Sequence, residues 1–78
     1  MLFKGLKLKV FEKGKTIGII IVTEICGNRH FISEDENDPS KITEFKFLEE
    51  TYSWHVVFEG LGGEKCVKKE LHYTLNPI

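Results

Sequence analysis

Hydrophobic and polar positions alternate at the start of the chain, where lysines separate Leu6, Leu8 and Val10. Successive side chains of a β-strand point to opposite faces, so this period of two predicts a strand with one buried and one solvated face. Residues 17–25 differ, because β-branched side chains occur at both odd and even positions of the segment. That pattern predicts a central strand that is covered on both faces.

Turn residues separate the apolar segments at short intervals. Turns are predicted at residues 12–15, 26–28 and 60–63, all of which contain glycine. Further strands are predicted at residues 29–33, 53–59 and 67–75. Short turns between consecutive strands favour an antiparallel meander. We therefore predict a single all-β domain over residues 1–78, with about six strands that curl into a small barrel or sandwich.

The middle of the chain is more ambiguous. Residues 33–40 contain four acids and no apolar side chain, which predicts an acidic loop. Asp38 followed by Pro39 is typical of a helix start, and this gives an α+β alternative with one helix near residues 39–51. The alternation of threonine and phenylalanine over residues 43–47 instead predicts a strand. We favour the strand.

Composition excludes several classes of protein. The chain has 78 residues, enough for one small domain, and its 41% hydrophobic content is ordinary for a globular fold. Its two cysteines cannot form the disulfide framework of a small secreted protein. No secretory signal is visible, and no apolar stretch approaches the roughly 20 residues that a membrane span needs. We predict a cytoplasmic protein that has no membrane partner.

No residue pattern points to an active site. The triplet Gly14-Lys15-Thr16 resembles the end of a phosphate-binding loop, but Lys9 replaces the glycine required five positions earlier. A strand also follows the triplet, where that motif requires a helix. There is no Gly-x-Ser-x-Gly nucleophile elbow, and no spacing of carboxylates fixes a catalytic pair. We predict a protein without enzymatic activity and without a cofactor.

Four thiol and imidazole side chains offer metal-binding chemistry, namely Cys26, His30, Cys66 and His72. Zinc prefers such ligands in a tetrahedron, and a structural zinc would stabilise a core this small. However, Cys26 and His30 lie about 13 Å apart along an extended strand, unless a turn between them brings them together. We predict that no metal is bound and keep this set as an alternative.

The net charge of −1 is a cancellation between two segments. Residues 1–15 carry five lysines and one acid, and residues 31–60 carry eight acids and two lysines. An acidic face can bind a basic groove of a target by charge complementarity. The candidate residues for this protein-binding face are Glu34, Asp35, Glu36, Asp38, Glu44, Glu49 and Glu50.

The lysine-rich first hairpin gives an alternative function. Neutralisation of a phosphate backbone would use Lys7, Lys9, Lys13 and Lys15. The lysines can equally protect an edge strand from pairing, and the total charge is not basic, so protein binding is favoured over nucleic acid.

Tyr52 and Trp54 are candidate interface aromatics. We predict a non-enzymatic protein-binding module, an inhibitor or adaptor, that acts through the acidic face or an exposed strand edge. Its partner is another protein or a second copy that forms a homodimer.

Overall fold

The structure is a computed structural model that describes residues 1–78 as seven β-strands, with no helix. The strands are β1 (Lys7–Glu12), β2 (Lys15–Gly27), β3 (His30–Asp35), β4 (Asp38–Leu48), β5 (Ser53–Glu59), β6 (Lys65–Val67) and β7 (Thr74–Pro77). They form one antiparallel sheet in the order β6-β5-β4-β3-β2-β1-β7. The predicted all-β antiparallel meander is confirmed, and the alternative helix near residues 39–51 is wrong because β4 occupies that segment. No helix is present that could cross a membrane.

The predicted acidic loop over residues 33–40 is wrong in extent. Strand β3 continues to Asp35 and β4 begins at Asp38, so that only two residues form the turn. The Asp35 carboxylate accepts a hydrogen bond from the Asn37 N–H at 2.8 Å, and the Asp38 carboxylate accepts one from the Ser40 N–H at 3.1 Å. These side chains satisfy backbone donors at the turn, so a segment without apolar residues still forms a hairpin.

Strand β2 is long because three irregularities curl it around the core. Its register with β1 skips Ile17, and its register with β3 skips Thr23 and Cys26. A bulge places two residues opposite one, which bends the strand and increases its twist. The 13 residues of β2 can therefore pair with β1 at one end and with β3 along the other.

The end of the sheet formed by β7 curls back onto β5. Strand β7 pairs with β1, and Tyr73, just before β7, exchanges two backbone hydrogen bonds of 3.0 and 3.1 Å with Trp54 of β5. This contact closes the sheet into a small barrel. Its interior contains the core residues Leu8, Val10, Ile20, Val22, Phe31 and Phe45, with Trp54, Val56, Tyr73 and Leu75 packed against them.

Both faces of β5 are covered. Trp54 and Val56 pack on the barrel core, as their parity predicts. His55 points away from that core but is fully buried, because the connection between β6 and β7 crosses over it. Alternation along β5 puts His55 and Val57 on the side away from the core, and the chain itself buries both.

Candidate functional site

An open seam separates the first half of β4 from β5. Strand β4 begins at Asp38, but β5 pairs with it only between Glu44 and Leu48. Residues 38–43 consequently have no partner strand on the β5 side, and we call this gap the seam. At the seam, a long strand of the barrel presents an unpaired backbone edge.

Backbone alternation shows which groups face the seam. The Phe47 N–H donates to the Arg29 C=O at 3.0 Å, so the polar groups of Phe47 point towards β3. Hydrogen-bonding direction alternates along an antiparallel strand, and the N–H and C=O of Ile42 therefore point into the seam. The Ile42 side chain is 68% exposed. This residue offers a partner strand both a donor and an acceptor.

The outer part of the same edge is poorly suited to pair with another strand. Asp35 pairs with Asp38, and the next pair joins Glu34 to Ile42, so residues 39–41 bulge out of the register. Pro39 lies in this bulge and has no N–H to donate. Bulges and prolines protect edge strands from indiscriminate pairing. The pairing-competent part of the seam is therefore short and centres on Ile42, because the polar groups of Thr43 point towards β3 as those of Phe47 do.

A cleft of about 210 Å³ opens beside the seam at one end of the barrel interior. The barrel interior is accessible here because β5 has separated from β4. Its lining is mostly apolar and includes Asp35 and Lys41 as the charged residues; the full set is Val10, Ile17, Gly18, Ile20, Asp35, Lys41, Thr43, Phe45, Val56 and Tyr73. A side chain from a strand placed in the seam can reach this apolar lining.

Four predicted acidic residues cluster at the β3–β4 turn beside the seam. We call Glu34, Asp35, Glu36 and Asp38 the acidic hairpin. Glu36 forms an ion pair with Lys7 at 2.9 Å, whereas the other three form no ion pair. Hydrogen bonds from Ser40 lower the pKa of the Asp38 carboxyl. Four carboxylates against Lys7 and Lys41 leave a net charge of −2 around this edge.

The other predicted acidic residues lie elsewhere. Glu49 and Glu50 follow the far end of β4, about 33 Å along the strand from Asp38. Glu50 forms an ion pair with Lys69 at 3.1 Å. Glu44 lies between these ends and forms an ion pair with Lys65 at 2.8 Å. The structure thus brings four of the seven acids together and separates the remaining three from them.

The lysines of the nucleic-acid alternative lie on β1 and on its turn. Lys7 and Lys9 are exposed on the outer face of β1, and Lys13 and Lys15 flank the turn to β2. Strand β7 pairs with β1 but contains no lysine, so it does not extend this patch.

The two candidate interface aromatics occupy different environments. Tyr52 is exposed, has a positive φ of 52° and contacts Phe47 edge-on at 5.3 Å. Trp54 is half-buried and lies 5.3 Å from the ring of Phe31. Trp54 therefore belongs to the barrel, and Tyr52 to its surface.

The predicted metal set divides into two parts. Cys26 and His30 lie close together on the outer face, and Glu44 joins them there. Cys66 pairs with Phe58, whereas its neighbour Lys65 faces outward to Glu44, so Cys66 points to the opposite side of the sheet. His72 packs edge-on against His55 at 5.0 Å. The four predicted ligands do not converge.

A second, larger cleft of about 590 Å³ opens at the other end of the barrel. Its lining is chiefly apolar and includes Leu2, Leu6, Ile25 and Trp54. Arg29 is its one charged residue, and its guanidinium lies 4.8 Å from the centre of the Phe47 ring.

Comparison with family models, with curated proteins and with solved structures gives no match for this chain. Function is therefore inferred from the seam, the cleft and the charges around them.

Proposed function

We propose that the chain is a non-enzymatic binding module that adds an extended, basic segment of another protein to the free edge of β4. The observation that carries the proposal is the seam, where residues 38–43 have no partner strand on the β5 side. Strand addition to an exposed edge gives affinity through main-chain hydrogen bonds and specificity through pockets for alternate side chains. Ile42 supplies the hydrogen bonds, and the cleft beside it supplies a pocket.

The charge around the seam supports a basic partner. The acidic hairpin retains a net charge of −2 after its lysine neighbours are counted. Complementary charge speeds encounter and rejects wrong partners, whereas like charges brought together are unfavourable. A second copy of this chain added across a twofold axis would place two acidic hairpins side by side. Another protein with lysine or arginine along an extended segment avoids that repulsion.

Defined peptides test this proposal. We would titrate ¹⁵N-labelled protein with a capped octapeptide of alternating lysine and valine, and with a matched octapeptide of alternating glutamate and valine. We expect the lysine peptide to bind with a Kd below about 1 mM, which corresponds to about 4 kcal/mol. The amide resonances of Ile42 and Thr43 should shift most, and the glutamate peptide should bind at least tenfold more weakly.

Two variants separate the backbone and charge contributions. Ile42→Pro removes the N–H that faces the seam and should abolish binding, whereas Ile42→Ala keeps that donor and should retain it. Asp35→Asn combined with Asp38→Asn keeps the oxygen acceptors of the turn but removes two negative charges. The double variant should reduce the ratio between the affinities for the lysine and glutamate peptides. Absence of binding at 1 mM, shifts confined to Lys7 and Lys9, or a dimeric solution mass would each contradict the proposal.

A further inference from the structure

The irregularity at the end of β2 turns Cys26 onto the outer face of the sheet. Ile25 pairs with Phe31 and Gly27 pairs with His30, so Cys26 is the extra residue between two consecutive pairs. In a bulge, two neighbouring residues oppose one residue of the partner strand. Cys26 therefore lies beside His30, and the strand spacing that would keep them about 13 Å apart does not apply across the turn.

Strand β4 contributes a carboxylate to the same place. Ile32 pairs with Glu44 and His30 pairs with Lys46, which puts Glu44 diagonally across from His30 on the outer face. The His30 Nε2 lies 2.5 Å from a Glu44 carboxylate oxygen. The thiol sulfur of Cys26, the imidazole nitrogen and the carboxylate oxygen all lie within 4.8 Å of one another.

We propose that Cys26, His30 and Glu44 bind one divalent transition-metal ion of the zinc type, with a fourth coordination position open to solvent. Sulfur, imidazole nitrogen and carboxylate oxygen are the ligand atoms that zinc uses, at about 2.0–2.3 Å. A tetrahedron with those bond lengths has ligand-to-ligand edges of about 3.3–3.6 Å. The three ligand atoms need to move by about 1 Å to reach this geometry, which rotation of their side chains can supply while the backbone stays in place.

The charges at the site suit a cation. Glu44 supplies a carboxylate to the site. Lys65 holds one carboxylate oxygen at 2.8 Å, and the other oxygen faces His30. A bound dication would stabilise the thiolate form of Cys26.

The position of the site makes it reachable. The Cys26 side chain is exposed, and the side chains of His30 and Glu44 are 27% and 13% exposed. A metal can therefore enter from solvent, and water can complete its coordination. Because the three ligands come from β2, β3 and β4, a bound ion would cross-link the strands next to the seam.

Metal titration tests the proposal independently of peptide binding. After treatment with a chelator and its removal, the full chain would be titrated with Zn²⁺ by calorimetry and with Co²⁺ by absorption spectroscopy under reducing conditions. We expect one ion per chain, a thiolate-to-cobalt charge-transfer band, and a Zn²⁺ Kd below about 10 µM. At a hundredfold excess of Zn²⁺ over Kd, the Tm should rise by about 11–22 °C.

Matched variants decide whether these residues are the ligands. Cys26→Ser, His30→Gln and Glu44→Gln should each weaken binding at least tenfold, and Cys26→Ser should also abolish the charge-transfer band. Cys66→Ser and His72→Gln remove the same chemical groups elsewhere and should leave the affinity unchanged. Circular dichroism confirms that each variant is folded. A Zn²⁺ Kd above 1 mM, or equal losses in the control variants, would overturn the proposal.

Discussion

Replacement of His55 by alanine tests how the chain covers the outer face of β5. His55 is fully buried, and both ring nitrogens have partners. Nε2 lies 2.6 Å from the Thr51 hydroxyl, and Nδ1 lies 3.2 Å from the Lys68 carbonyl. A carbonyl can only accept, so Nδ1 carries the proton and Nε2 accepts from Thr51. The imidazole thereby links the connection after β6 to strand β5 by a hydrogen bond.

The expected cost of His55→Ala has two parts. Loss of two hydrogen bonds contributes about 2 kcal/mol, at about 1 kcal/mol each. The cavity left by a buried ring adds about 1–2 kcal/mol, because neighbouring atoms close it only in part. The sum of about 3–4 kcal/mol is a large share of the roughly 4–12 kcal/mol expected for a domain of this length. It corresponds to a fall in Tm of at least about 12 °C.

Urea and thermal unfolding measure this loss. His72→Ala is the matched control, because it deletes an exposed imidazole that contacts the same ring edge-on, and it should cost less than about 1 kcal/mol. Thr51→Val should cost about 1–2 kcal/mol by leaving Nε2 without a donor. If His55→Ala lies within 1 kcal/mol of the wild type, or costs no more than His72→Ala, the role assigned to this histidine is refuted.

Three further predictions concern the barrel. Burial, followed by the charge of Glu12, raises the pKa of the Tyr73 hydroxyl above its ordinary value of 10.0. The protonated hydroxyl therefore contributes its full stabilisation below pH 10, and the protein loses that contribution as the pH rises above 10. Tyr73→Phe should flatten that alkaline loss in urea titrations, and an unchanged slope would count against the assignment. Phe31→Ala empties the centre of the core and should cost about 3–5 kcal/mol by denaturation, whereas a loss under 1 kcal/mol would contradict the packing. The half-exposed pair of Lys7 and Glu36 should contribute less than about 0.5 kcal/mol in a double-mutant cycle, with a larger coupling as the opposing result.

The strands could be predicted where local patterning and tertiary packing agree. Alternation of side chains predicts β1, whereas the prediction that residues 17–25 are covered on both faces is wrong at Ile17 and Ile25, which are 54% and 42% exposed. The hairpin around Glu36 and Asn37 could not be predicted from the hydrophobic pattern, because its strands contain no apolar residue near the turn. Aspartate side chains accept backbone hydrogen bonds there instead.

The sites depend on register, which a single sequence does not specify. The turn predicted at residues 26–28 allows Cys26 to approach His30, but the extra residue at Cys26 that places the thiol beside the imidazole depends on the register of β2 with β3. Glu44 enters the same cluster only through the pairing of β3 with β4. Apolar residues lie on both sides of β5, but the sequence does not show what covers the side of His55 and Val57. The covering segment is the chain itself.

The seam exists because β5 separates from β4 beyond Glu44, and this separation depends on tertiary structure. Pro39 is the local residue that is typical of an edge strand. Charge counting along the chain did find the acidic hairpin, but it could not separate those acids from Glu49 and Glu50 at the far end of β4.

Native-state amide hydrogen exchange tests the seam most directly. The Lys46 amide lies where β4 and β5 pair, whereas the Ile42 amide faces the gap without a partner strand. We expect the Ile42 amide to exchange at least about 100-fold faster than that of Lys46, because its hydrogens are open to solvent without unfolding of the barrel. Equal protection of the two amides would show that the edge of β4 is closed, and would contradict the proposal that it receives a partner strand.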